Sequence, residues 1–219
     1  MSVDLVIFDC DGVLVDSEII SCRVFAQALT HSGYPITADQ VHDRFLGRSS
    51  RETRREVERE LGRMLPDDFH AQLNVELFRQ LETSLEPMPH IAQALDALAQ
   101  PVCVASSGPP QKIGVSLNRV GLYDRFAPHI FSATQVARGK PAPDLFLFAA
   151  AQMGADPARC LVIEDSVAGI TAARAAGMAT LGFAGGSHCR PGHGQTLRQA
   201  GARAAFDDMR QLTDLIVEI

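Results

Sequence analysis

Leu5-Val6-Ile7-Phe8 is an unbroken apolar run of β-forming residues that stops at Asp9-Cys10-Asp11-Gly12, and the same figure recurs along the chain. Residues 102–105 run into Ser106-Ser107-Gly108, residues 161–163 into Glu164-Asp165-Ser166, and the shorter Ala179–Phe183 is followed by Gly185-Gly186. A strand with one wet face alternates apolar and polar residues. A run without alternation must be covered on both faces, as in a parallel sheet between helices. Helical patterns fall between the runs. Residues 91–99 carry apolar side chains at 91, 94, 95 and 98, residues 145–153 lie between Pro143 and Gly154, and residues 167–176 between an N-cap Ser166 and Gly177. This alternation predicts an α/β fold built on a doubly wound parallel sheet.

Residues 17 to 86 break the rhythm. They contain no comparable apolar run and read as helices over roughly 17–31, 38–44, 50–61 and 67–84. A helical stretch placed directly after the first strand predicts an insertion, and Pro87-Met88-Pro89 marks the return. The expected division is therefore an α/β core of residues 1–16 and 87–219 with a helical domain of residues 17–86. A chain of 219 residues has room for both.

Charge and cysteine usage exclude several classes. A net charge of −6 argues against nucleic-acid binding, which needs a basic stripe. The five cysteines are scattered and form no C-x-x-C pair; Cys103 and Cys160 lie within apolar runs and read as buried, reduced thiols. No apolar run reaches the roughly 20 residues that span a bilayer, and Asp4 and Asp9 interrupt the one candidate leader. These features predict a cytoplasmic protein with no membrane partner, and a monomer is the default expectation.

The polar residues that carry chemistry follow the strands. Ligands of open α/β sheets sit beyond the carboxyl ends of the strands, where this sequence places Asp9 and Asp11, then Ser106 and Ser107, then Lys140 after Ile130–Ser132, then Glu164 and Asp165. Residues two apart in an extended chain point the same way, so Asp9 and Asp11 can share one site. Converging carboxylates repel, at about 4 kcal/mol per pair 4 Å apart in an effective dielectric of 20. A cation must offset this, and hard oxygen ligands select Mg²⁺. A phosphate substrate adds negative charge, for which Lys140 and the Ser106 region supply a counter-charge and donors. Taken singly, Asp-x-Asp-Gly can be a turn, Glu-Asp-Ser a helix cap and Gly-Lys solvated surface. Three such motifs at successive strand ends are hard to reconcile with those readings.

In the segments 8–18, 104–108, 140–144 and 162–166 the chain resembles the haloacid dehalogenase superfamily, in its branch of β-phosphoglucomutase-like and phosphoglycolate phosphatase-like enzymes. The resemblance covers essentially the whole chain. It implies a Rossmann-like core with an inserted helical cap and a Mg²⁺-dependent phosphatase acting on small phosphorylated metabolites, sugar or sugar-acid phosphates among them. Asp9 would attack phosphorus and form an aspartyl phosphate, and Asp11 would serve as acid and then base. Asp9, the Asp11 carbonyl, Glu164 and Asp165 would hold the metal, and Ser106, Ser107 and Lys140 the phosphoryl oxygens. Glu18, Arg48 and Arg51 are the cap residues expected to reach substrate. Arg54, Arg55 and Arg59, interleaved with glutamates, read instead as a solvated face with i,i+4 pairs.

Three other functions fit the sequence less well. A phosphosugar mutase of the β-phosphoglucomutase type would carry a cap histidine where this chain has Ser21, and an arginine where it has Ser50. A dehalogenase would lack Asp11. A regulator that binds phosphorylated ligands without turnover is disfavoured by the intact set of Asp9, Asp11, Lys140 and Asp165. Gly139-Lys140 is not a P-loop, because Thr134 and Pro141 stand where glycine and a hydroxyl residue are required. His188, Cys189 and His193 fit no common zinc spacing and read as part of a loop. Phe148, with Leu145 and Ala149, reads as core.

Overall fold

The computed structural model describes residues 2–219 except Leu46, Arg48 and Ser49, and leaves the side chain of Arg51 undescribed. The expected contacts of Arg48 and Arg51 therefore lie outside what is described. The chain divides into two compact units, Met1–Asp16 with Glu86–Ile219, and Ser17–Leu85.

The first unit is built on six strands: β1 (Leu5–Phe8), β2 (Val102–Ser106), β3 (Ile130–Ser132), β4 (Cys160–Glu164), β5 (Ala179–Phe183) and β6 (Ala204–Phe206). All neighbours are parallel, in the order β3-β2-β1-β4-β5-β6. β1 is central, with Val6 opposite Val102 on one side and Leu5 opposite Cys160 on the other. Its four residues are all buried because both sheet faces are covered. Leu5 and Ile7 join Leu145, Phe146, Ala149, Ala172 and Ala173 in one cluster, whereas Phe8 meets the edge of Phe126 with ring centroids 6.1 Å apart. This is the physical content of the missing alternation in the sequence.

In the second unit the helices are α1 (Glu18–His31), α2 (Ala38–Phe45), α3 (Ser50–Leu61) and α4 (Phe69–Ser84). They bury Cys22, Leu29, Val41, Phe45, Val57 and Phe69 together, with Phe25 edge-on to both Phe45 and Phe69 at 6.2 Å. The charged face of α3 is not wholly solvated. Arg54 pairs with Glu58 at 2.7 Å, as i,i+4 spacing predicts, but Glu56 and Glu60 turn to Arg44 of α2 at 2.9 and 2.7 Å.

The remaining helices belong to the first unit: α5 (Ile91–Ala97), α6 (Pro110–Arg119), α7 (Tyr123–Phe126), α8 (Asp144–Gln152), α9 (Val167–Ala175), α10 (His193–Ala200) and α11 (Leu212–Val217). Where the chain leaves and re-enters this unit its two segments lie side by side. The Asp16 amide donates to the Glu86 carbonyl at 3.1 Å and the Met88 amide to the Leu14 carbonyl at 2.9 Å. No helix among the described residues is long and apolar enough to cross a membrane.

Candidate active site

The strand order reverses direction on either side of β1, and the crevice at such a reversal is where open α/β sheets bind ligands. Asp9 follows β1 there, its amide donating to the Ile163 carbonyl at 3.0 Å. The chain then folds back on itself, with the Leu14 and Val15 amides donating to the Cys10 carbonyl at 2.9 and 3.1 Å. Gly12 makes this possible. Its φ is +78°, and a Cβ there would lie 2.0 Å from Asp165 Oδ2, so a side chain at this position would displace the carboxylate.

Carboxylate oxygens of Asp9, Glu164 and Asp165 lie within 4.8 Å of one another, and all three residues are buried. Lys140 reaches into the group. Its Nζ donates to Asp9 Oδ1 at 2.6 Å, to Glu164 Oε1 at 2.7 Å and to the Ala105 carbonyl at 3.0 Å, and its side chain is only 4% exposed. Burial pushes the Asp9 carboxyl up to about 7 from 3.8; Lys140 opposes that rise, and Glu164 and Asp11 add to it. For Lys140 itself burial acts to lower the pKa, but the Asp9 and Glu164 charges more than offset it, and the ammonium is held above its ordinary value.

Both oxygens of Glu164 accept hydrogen bonds. Its Oε2 accepts from the Ser166 amide at 2.7 Å and the Ser166 hydroxyl at 2.9 Å, while Oε1 takes Lys140. Ser166 Oγ in turn accepts from the Gly169 amide at 3.0 Å, the expected N-cap of α9. Gly169 lets the carboxylate lie against the helix, since a Cβ there would fall 1.8 Å from Glu164 Oε1. Ser106 is buried at the end of β2, with its Oγ accepting from the Gly108 amide at 3.0 Å, and Ser107 beside it is exposed. Glu18 opens α1 in the helical unit and lines a cavity of about 210 Å³ with Ser21, Phe25, Thr53, Arg54 and His70.

Lys112 and Phe146 carry no site signal in the sequence, and His188 and His193, read there as part of a loop, also lie near these groups. Lys112, in the first turn of α6, donates to Asp11 Oδ1 at 2.7 Å. Phe146 of α8 is fully buried and offers its ring to Lys140 Nζ at 4.9 Å, while Phe148, half-buried, packs on the core cluster with its ring edge-on to Phe131 at 5.6 Å, as expected of a core residue. His188 Nε2 lies 2.9 Å from Asp165 Oδ2, and His193 Nε2 lies 2.6 Å from the Asp165 carbonyl oxygen. The only sequence signal for Lys112 was Pro110 marking a helix start.

A model of haloacid dehalogenase-like hydrolases matches residues 3–177. The chain is 32% identical to the 6-phosphogluconate phosphatase of Escherichia coli over 190 residues, covering 86% of each. Among solved structures, a haloacid dehalogenase-like protein of unknown function from Agrobacterium tumefaciens superposes with a TM-score of 0.90 at 41% identity, covering 99% of each chain. A family hydrolase from Deinococcus radiodurans, with bound phosphate and sodium, gives 0.83 at 30% identity, covering 99% of this chain and 96% of that one.

Proposed function

Because the chain belongs to the haloacid dehalogenase-like hydrolases and is a phosphoric monoester hydrolase of that family, we propose that it hydrolyses small sugar or sugar-acid phosphates with Mg²⁺ through an aspartyl phosphate on Asp9. The observation that carries this reading is the meeting of Asp9, Lys140, Glu164 and Asp165 at the strand reversal. The similarity to a 6-phosphogluconate phosphatase supports a sugar-acid phosphate as substrate.

The donor set suits the ion. Only hard carboxylate and carbonyl oxygens are offered, and Gly12 leaves the space beside Asp165 clear of a side chain. Asp9, Asp165 and the Asp11 carbonyl would hold Mg²⁺. Glu164, whose oxygens also hold Lys140 and the start of α9, would ligate the ion or stand close behind it. When bound, Mg²⁺ neutralises charge on the phosphoryl oxygens and orients them.

An Asp9 oxygen forms the new bond to phosphorus as the bond to the substrate oxygen breaks, and Asp11 gives that oxygen its proton. Lys140 and the Ser106 region hold the equatorial oxygens, whose charge spreads in the transition state. A phosphoryl oxygen competes with Asp11 for the Lys112 ammonium, which frees Asp11 to carry the proton. Asp11 then takes a proton from water, the water oxygen bonds to phosphorus, and Asp9 is released with inorganic phosphate. Hydrolysis is favoured over mutase chemistry by Ser21, whose hydroxyl donates to the Ser17 carbonyl at 3.0 Å where a mutase would present an imidazole.

Phosphate release from an aryl phosphate in Mg²⁺, followed by a panel of phosphorylated metabolites ranked by kcat/KM, tests the reading. Release that tracks Mg²⁺ is expected. Tight metabolite binding by the wild type with no release would overturn it.

The raised Asp9 pKa has a second consequence. The folded state binds a proton that the unfolded chain has lost between pH 3.8 and about 7, so stability falls as pH rises through that window. Mg²⁺ takes the place of that proton. Thermal melts should show a larger Mg²⁺-induced rise in Tm at pH 8 than at pH 5; an equal rise at both would place the ion elsewhere.

A further inference from the structure

Beside Asp165, the loop after β5 and the first residue of α10 bring together three residues that the hydrolytic chemistry does not use. His188 is buried at 4% exposure, and Cys189 and His193 are half-buried. One ligand atom from each lies within 4.8 Å of the others. His188 Nε2 is 3.6 Å from Cys189 Sγ and 2.9 Å from Asp165 Oδ2, and the two histidine rings stand edge-on with centroids 6.0 Å apart.

We propose that His188, Cys189 and His193, with the Asp165 carboxylate as fourth ligand, form a binding site for Zn²⁺ or a similarly thiophilic first-row ion, which shuts off hydrolysis by drawing Asp165 away from Mg²⁺. The ligand chemistry is of a different kind from that beside Asp9. One thiolate and two imidazoles favour zinc and copper, whereas Mg²⁺ takes oxygen. The spacing is also near that of an assembled site. Tetrahedral zinc with bonds of about 2.0–2.3 Å sets its ligand atoms roughly 3.3–3.8 Å apart. The His188–Cys189 separation of 3.6 Å already falls there, the remaining separations among His188, Cys189 and His193 require shifts of about 1 Å or less, and Asp165 Oδ2 is already 2.9 Å from His188 Nε2, beside a segment containing Gly185, Gly186 and Gly192. Binding forms the metal–sulfur bond and releases the Cys189 proton to solvent, with no change of oxidation state.

Spacing alone argues against this site, because its ligands follow a His-Cys-x₃-His order that matches no common zinc pattern and the fourth ligand belongs to a different strand end. Its functional consequence rests on the hydrolase reading, since Asp165 is the one residue assigned to both ions. The binding itself does not.

Titration of the metal-stripped full chain with Zn²⁺, followed by calorimetry, should show one thiol-dependent site. Replacing Zn²⁺ by Co²⁺ should produce a thiolate-to-metal charge-transfer band in the near ultraviolet. Cys189→Ser should remove that band and weaken Zn²⁺ binding by at least about 100-fold, more than the loss of an outer partner gives. His193→Gln should weaken it comparably. In phosphate-release assays with Mg²⁺, Zn²⁺ should inhibit the wild type, while Cys189→Ser keeps wild-type turnover and loses the inhibition. Absence of the charge-transfer band, or Zn²⁺ affinity unchanged in Cys189→Ser, overturns the site and leaves the histidines as hydrogen-bonding braces of Asp165. Zinc binding through Cys189 in a chain that releases no phosphate overturns the hydrolase reading and the proposed inhibition, while the metal site itself stands.

Discussion

Asp9→Asn is expected to lower kcat by at least about 10⁴-fold, the scale seen when a nucleophile is removed, with no loss of thermal stability. An amide cannot form the acyl phosphate, yet it fills the space of the carboxylate. The change also removes a charge that burial disfavours, which is why the Asp9 carboxyl is pushed up to about 7. Lys140 keeps Glu164 Oε1 at 2.7 Å and the Ala105 carbonyl at 3.0 Å, so its ammonium is not stranded. In the absence of Mg²⁺ the Tm of the variant should equal or exceed that of the wild type above pH 7. Turnover within about 100-fold of wild type would rule out covalent catalysis by Asp9.

Lys140→Met should do the opposite to the fold. It leaves Asp9 and Glu164 as buried carboxylates without their shared counter-charge, and breaking a buried pair in this way costs about 3–5 kcal/mol. The side chains involved are 4%, 10% and 1% exposed, so solvent screening does not soften the effect. The methylene stem of methionine keeps the packing against Phe146, which isolates the charge from the volume. Turnover should fall by about 10³-fold through loss of charge stabilisation on the phosphoryl group. Chemical denaturation with and without Mg²⁺ separates the two roles: the ion should restore much of the stability and little of the rate. A stability loss under about 1 kcal/mol would mean that water reaches the cluster and replaces the ammonium.

What could be read in advance depended on where the information lies along the chain. β1, β2, β4 and β5 were legible because burial on both faces leaves a composition that no exposed segment shares. β6 was not, since Ala204–Phe206 is a three-residue edge strand of which only Phe206 is buried. The helices of the second unit were found to within a residue or two, because their apolar stripes are complete within each segment. Asp9, Asp11, Lys140, Glu164 and Asp165 stood out as polar residues at the ends of apolar runs. Lys112 did not, and the two histidines stood out only as a loop cluster without a common zinc spacing. Their meaning comes from contacts with residues far away in sequence, 101 positions in the case of Lys112 and Asp11, and no local pattern encodes such a meeting. Phe146 and Phe148 show the same limit at short range: helical periodicity marks α8 as buried without saying which ring faces Lys140.

The central place of β1 sets the order in which the protein can be made. Leu5–Phe8 is synthesised before either of its neighbours, and Leu5 meets its partner only when Cys160 has been added. Until then β1 can pair only with β2, through Val6 and Val102, and its other edge stays open, while closing so long a loop to β4 is entropically unfavourable before that pairing rewards it. A growing chain that has not reached β4 lacks both a flank of β1 and the acidic pair that follows it.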